Sequence, residues 1–102
     1  MRILFTIALV TLVLISGCTQ LEGKEAAKAC IEKCQSSLAS GQNLTSGPCL
    51  ANEIVKDWVC DVAHSPREDV DNNPENQCPS FREGLAHHFV EVDPTCNFIR
   101  AV

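Results

Sequence analysis

The sequence predicts a small α+β domain, in which one N-terminal helix packs on a short antiparallel sheet of about three strands and disulfides hold the layers together. Three observations predict it. Six cysteines are spread over residues 30–96 of a 102-residue chain. A single stretch rich in Ala, Glu, Lys and Leu, Glu22 to Ser40, has helical composition. Short β-branched and aromatic runs with a period of two follow it, and helix on sheet is the smallest architecture that buries both apolar faces.

The first segment, Met1 to Gly17, is set apart from this domain. Arg2 is a positive n-region, Ile3 to Ile15 an apolar h-region, and Ser16-Gly17 supplies small residues before a cleavage point. A helix of that h-region covers about 20 Å, short of the roughly 30 Å of hydrocarbon in a bilayer, which favours a cleaved signal over a permanent span. The junction Ile15-Ser16-Gly17-Cys18 resembles the lipobox of exported lipoproteins. The resemblance implies that Cys18 is the first mature residue, with its thiol joined to a two-chain lipid, and that Cys18 to Lys24 is a tether to the domain at 25–102. Each buried methylene contributes ~0.8 kcal/mol, so one chain binds marginally and two stay anchored. The expected location is the extracytoplasmic face of the cell membrane.

Loss of residues 1–17 removes Arg2 and leaves 7 Lys and Arg against 13 Asp and Glu, a charge near -6. That balance excludes nucleic acid as a partner, since phosphate binding needs basic patches that displace counterions. Assigning Cys18 to lipid leaves an even set, Cys30, Cys34, Cys49, Cys60, Cys78 and Cys96. In an exported chain of this size three disulfides are the expected reinforcement, each contributing about 2 to 4 kcal/mol. Zinc thiolate sites and thioredoxin-like redox sites are disfavoured, because no Cys-x2-Cys pair occurs.

In the helix, Ala27, Cys30, Ile31, Cys34 and Leu38 form the expected buried stripe, and Gly41 is the expected C-cap. Residues four apart on a helix hold their Cβ atoms about 5 to 6 Å from one another, so Cys30 and Cys34 reach outward to separate partners. Of the 15 connectivities that six cysteines allow, loop proximity suggests Cys34 to Cys49, Cys30 to Cys60 and Cys78 to Cys96. Next comes the loop Ser40 to Pro48, with the glycosylation acceptor pattern Asn43-Leu44-Thr45. Leu50 to Lys56 reads as a helical turn or irregular. Trp58 to Val62 is a strand with Trp58, Cys60 and Val62 on one face. Ser65-Pro66-Arg67-Glu68 reads as a brief helix start with Ser65 as N-cap, stopped at Asp71-Asn72-Asn73-Pro74. Alternation through His87 to Val92, the turn Asp93-Pro94-Thr95 and the run Asn97 to Arg100 predict a β-hairpin.

Three sets of residues are candidates for chemistry. Asp61, His64, His87, His88, Glu91 and Asp93 include imidazoles and carboxylates suited to zinc, with His64, His87, His88 and Glu91 as the candidate metal ligands of a small metal-dependent enzyme. No His-Glu-x-x-His occurs among them, so no metal or cofactor is assigned. The spaced oxygens Asp69-x-Asp71-x-Asn73-x-Glu75 are similar to the opening of an EF-hand loop, but Pro74 stands at its glycine position and Ser80 at its bidentate glutamate. No Gly-x-Ser-x-Gly nucleophile is present. The leading expectation is a binding or structural module for a protein or glycan ligand. Its recognition surface is Ala63 to Gln77, a loop held between Cys60 and Cys78 that presents His64, Arg67, Asp69 and Asp71 at reduced ordering entropy.

The runs Gly47-Pro48-Cys49-Leu50, Asp57 to Arg67 and His88-Phe89-Val90-Glu91-Val92-Asp93 resemble small Cys-rich proteins of unassigned function predicted from archaeal genomes. The resemblance implies an archaeal cell-surface lipoprotein and transfers no site residues.

Overall fold

A computed structural model describes residues 18–102, so the signal-like segment 1–17 lies outside the described residues. Helix α1 spans Cys18–Ala39. It starts four residues before Glu22, so the stretch 18–24 expected as a tether is helical. The helix ends as expected at Gly41, whose φ of 89° lies in the left-handed region, which glycine enters without the penalty a Cβ would bring. The Gly41 and Gln42 N–H groups donate to the carbonyls of Leu38 and Ser37, each at 3.0 Å, which satisfies the last turn in a Schellman motif.

Four strands follow, β1 Cys49–Val55, β2 Trp58–Val62, β3 His88–Val92 and β4 Phe98–Ala101. They form one sheet in the order β1-β2-β3-β4. The outer pairs are antiparallel, whereas β2 and β3 run parallel from Trp58 opposite His88 to Val62 opposite Val92. The class is therefore the expected α+β disulfide-rich domain, but the sheet has four strands and is mixed. The segment read as irregular is β1, which enters β2 through the tight turn Lys56-Asp57. Asp57 there takes a φ of 73°, a conformation that Asp tolerates better than most residues.

Parallel pairing requires a crossover, and residues 63–87 supply it. The crossover contains 3-10 turns at Asp69–Asn72 and Pro74–Asn76 and the one-turn helix α2, Pro79–Arg82. The expected helix start at Ser65 does not form. Ser65 precedes a cis Pro66, and the first turn begins at Asp69 with Glu68 at its N-cap.

The main core lies between α1 and one face of the sheet. Ala26, Cys30 and Cys34 of the helix meet Trp58, Cys60 and Val62 of β2 and Val90 and Val92 of β3, with Leu44 closing one end. The helix packs its Gly23 turn against the Trp58 indole, where an added Cβ would lie 3.6 Å from a ring carbon, at ordinary van der Waals contact. The buried stripe differs at its end from the expected one. Ser37 is buried and Leu38 is 39% exposed, because the two helix cysteines are bonded into the sheet side and so set the rotation of the helix. A smaller cluster, Val59, Cys78 and Ala86 with Cys49 and Phe89, lies on the opposite face.

The bridges are Cys30–Cys60, Cys34–Cys96 and Cys49–Cys78. Cys30 and Cys34 reach separate partners as their spacing requires, and Cys30 takes Cys60. The other two expected pairs are exchanged, because loop proximity is not what decides them. The β3-β4 turn carries Cys96 over the helix, where the Cys34 sulfur lies 3.9 Å from the Asp93 carbonyl, and the crossover returns Cys78 against β1.

Candidate functional site

The face of the sheet turned away from α1 carries a row of side chains set by strand register. Cys49 pairs with Asp61, Asp61 with Glu91, and Glu91 with Arg100, one residue from each strand. The parallel register thus puts two carboxylates side by side, an arrangement that costs free energy unless a cation or a proton intervenes.

Glu91 receives the cations. Arg67, from the crossover, places Nη1 3.2 Å from Glu91 Oε2, and Arg100 places Nε 2.5 Å from Oε1. Arg67 is held by two further bonds, Nε donating to Asn72 Oδ1 at 2.9 Å and Nη2 to the Asp71 carbonyl at 3.1 Å. Arg100 also lies over the Phe89 ring, 5.2 Å from its centroid. Asp61 receives neither guanidinium, and its Oδ1 is buried without a hydrogen-bond partner. Burial first, and the neighbouring Glu91 charge second, push its carboxyl up to about 8, so it holds its proton at neutral pH.

These groups line a cleft of about 280 Å³ between the sheet and the crossover. Val59, Asp61, Phe89, Glu91 and Arg100 form its floor, and Arg67, Gln77, Cys78, Phe81 and Arg82 form its other wall. Phe81 and Phe89 meet edge to face with centroids 5.0 Å apart. Arg82 stands apart from the other two guanidinium groups: among the described residues it makes no ion pair and no side-chain hydrogen bond.

Beneath the crossover, Asp71 organises the loop that carries Arg67. Its Oδ2 accepts the N–H groups of His64 at 2.9 Å and Glu68 at 3.0 Å, and its Oδ1 lies 2.9 Å from His64 Nδ1. Burial works to raise the Asp71 pKa, but these donors outweigh it and hold the carboxyl below its ordinary range. The hydrogen bond to Asp71 holds the His64 imidazole above its ordinary pKa. Gly47 packs against this pair from the loop after α1. An added Cβ there would stand 2.7 Å from Asp71 Oδ1.

Of the residues read as candidate ligands, His87 and His88 come together at the Asp57 carboxylate, and His64 and Glu91 each stand elsewhere. His64 is bound to Asp71, and His87 bonds the Asp57 carboxylate at the β1-β2 turn through Nδ1 at 2.6 Å. His88 comes to the same carboxylate, its Nε2 3.7 Å from Asp57 Oδ2, and stacks on Trp58 with ring centroids 4.5 Å apart, whereas Glu91 lies on the other face between two arginines. The calcium-like series is parted as well, since Asp71 turns inward onto backbone donors while Asp69 is exposed. Asp93 instead closes the β3-β4 turn, accepting from Thr95 and Asn97. Among the described residues no group of three or more His, Cys, Asp or Glu side chains is disposed to hold a metal ion. Of the expected recognition loop, Arg67 and Gln77 reach the cleft. Arg82, Arg100, Phe81 and Phe89 were not among the expected site residues. The available signal was the pair of apolar-x-acidic steps Val59-x-Asp61 and Phe89-x-Glu91, which put an acid beside an apolar side chain on one face of two strands.

Among the described residues no helix is long and apolar enough to cross a membrane. The chain matches no known protein-family model, and no curated protein or solved structure is significantly similar to it.

Proposed function

We propose that this protein is a lipid-anchored extracytoplasmic binding module, and that the cleft between the outer sheet face and the crossover is its binding surface. The observation that carries the binding reading is the Asp61 carboxyl group, which lines an open cleft shared with three guanidinium groups and whose buried Oδ1 lacks a partner. An unsatisfied buried oxygen costs about 1–3 kcal/mol. A ligand that bonds it recovers part of that cost, and so binds there in preference to flat surface. The anchoring half of the proposal is supported by the bridges. The six cysteines beyond residue 18 form three bridges among themselves, the complete even set that the lipid reading expects of them.

Each half has its own test. Intact mass spectrometry of the protein from membranes is expected to show a chain beginning at Cys18 with a two-chain lipid on it; an unmodified Cys18 would overturn the anchoring. For the cleft, amide shift mapping with anionic, cationic and neutral aromatic probes is expected to move signals of Val59, Asp61 and Phe89. If no probe moves them, the binding reading fails.

A further inference from the structure

We infer that the cleft takes a small organic anion with an apolar body, its carboxylate held by the Arg82 guanidinium and the Asp61 carboxyl group and its body lying against Phe81, Phe89 and Val59. The inference rests on the binding reading above and names the ligand class for it.

Three features of the cleft argue for this class. The first is charge. Arg67, Arg82 and Arg100 face Glu91 and Asp61, so the lining is positive even when both carboxylates are ionised. The surplus is local, on a chain whose net charge is -5. The second is which cation is free. Arg67 and Arg100 are committed to Glu91, whereas Arg82 has no such partner and can present its planar fork to a carboxylate, a geometry that pairs two N–H donors with two oxygens. The third is shape. At about 280 Å³ the cleft falls just under the roughly 300–1,000 Å³ of sites for drug-sized molecules, and its apolar wall is aromatic, which suits a compact ring or short branched chain.

Asp61 then has a specific part to play. With its carboxyl pushed up to about 8, it is a neutral O–H donor at pH 7 and can donate to the ligand carboxylate. When it ionises it repels the same group. The charged residues around it are Glu91 on β3, Arg67 and Asp71 on the crossover, Arg82 on α2 and Arg100 on β4. A ligand anion stabilises the protonated state of Asp61, so binding and proton uptake are linked.

The test is titration calorimetry and amide shift mapping on the full chain in mild detergent, with three probes of one shape: 3-phenylpropanoate, 3-phenylpropanol and 3-phenylpropylamine. The propanoate is expected to bind saturably and to shift cleft amides more than the other two. Its affinity is expected to fall about tenfold or more between pH 6.5 and 9.5, as the neutral fraction of Asp61 falls. Arg82→Gln is expected to weaken binding at least about tenfold, the order of one charge-assisted bidentate contact. Asp61→Asn, which keeps a donor, is expected to retain binding at pH 6.5 and to remove the pH dependence. Thermal melts of both variants verify that they are folded. Equal or stronger shifts of the same amides by the amine or the alcohol would overturn the anion class and leave the binding cleft standing. Propanoate binding that ignores both substitutions would overturn this site for it. Silence of the cleft amides to all three probes would overturn the anion inference and the binding reading together.

Discussion

The two faces of this sheet are built from the same strands and do opposite things. Trp58, Cys60 and Val62 alternate with Val59 and Asp61 along β2, and Val90 and Val92 alternate with Phe89 and Glu91 along β3. The face under α1 is dry and apolar, and Cys30–Cys60 and Cys34–Cys96 fasten it to the helix. The other face carries a row of charge in which one acid pairs with two arginines while its neighbour pairs with none and keeps one oxygen without a partner. Stability is concentrated on the first face and spent on the second. A domain of this size tolerates a poorly solvated carboxyl such as Asp61 because covalent links have already reduced the entropy of its unfolded chain.

The comparison is most strongly broken from the helix side. Replacing Cys30 and Cys60 together by Ala is expected to cost about 3–4 kcal/mol, the loop-closure entropy of a 30-residue link, read as a lowered denaturant midpoint. A midpoint unchanged by the double replacement would show that packing alone holds this face.

Gly47→Ala comes next. The residue has a φ of 72°, and its Cβ would collide with Asp71 Oδ1 at 2.7 Å. We expect a loss of about 2–3 kcal/mol, from strain plus disturbance of the Asp71 bonds, and faster hydrogen exchange at the His64 and Glu68 amides.

The pH profile of stability separates the faces by sign. Asp61 releases its proton near 3.8 when unfolded and near 8 when folded, so across that window the folded state holds a proton that the unfolded chain has lost. Stability contributed through Asp61 therefore declines as pH rises, by an expected ~1–3 kcal/mol between pH 5 and 8. His64, raised above 6.5, acts in the same direction: its pairing with Asp71 is fully present below 6.5 and is lost as pH climbs through the folded value. Asp71 and Asp93, both lowered, contribute above 3.8 and lose that contribution as pH falls through their folded values. The stability maximum should accordingly lie between about pH 4 and 6, and Asp61→Asn should flatten its alkaline side. A maximum above pH 8 in the unsubstituted protein would contradict the protonated state of Asp61. The smallest effect is expected at Arg82, an exposed side chain whose change to Gln should alter unfolding by less than about 0.5 kcal/mol while weakening anion binding.

Much of the inner face was legible in the sequence, because it is written in local periodicity. The helix ending at Gly41, the strand face Trp58, Cys60 and Val62, and the β3-β4 hairpin all follow from patterns a few residues long. Strand β1 was not legible, since Asn52 and Glu53 interrupt its apolar residues and its turn lacks the glycine that usually marks a hairpin. Nor was the parallel pairing of β2 with β3, because a strand's own pattern does not name its neighbour. The two exchanged disulfides follow from that same gap. Within the cleft, Asp61 and Glu91 stood out as acids but were grouped with histidines that the structure places outside the cleft. Arg100, which pairs with Glu91, and Arg82, which shares the cleft, become visible only once register and crossover are known.

The Cys34–Cys96 bridge closes most of the described chain into a ring. A protease that cuts any one peptide bond between those two cysteines, in the exposed crossover for instance, does not divide the molecule. The pieces stay on one covalent frame, so a single nick there releases no fragment until a reductant opens the bridge.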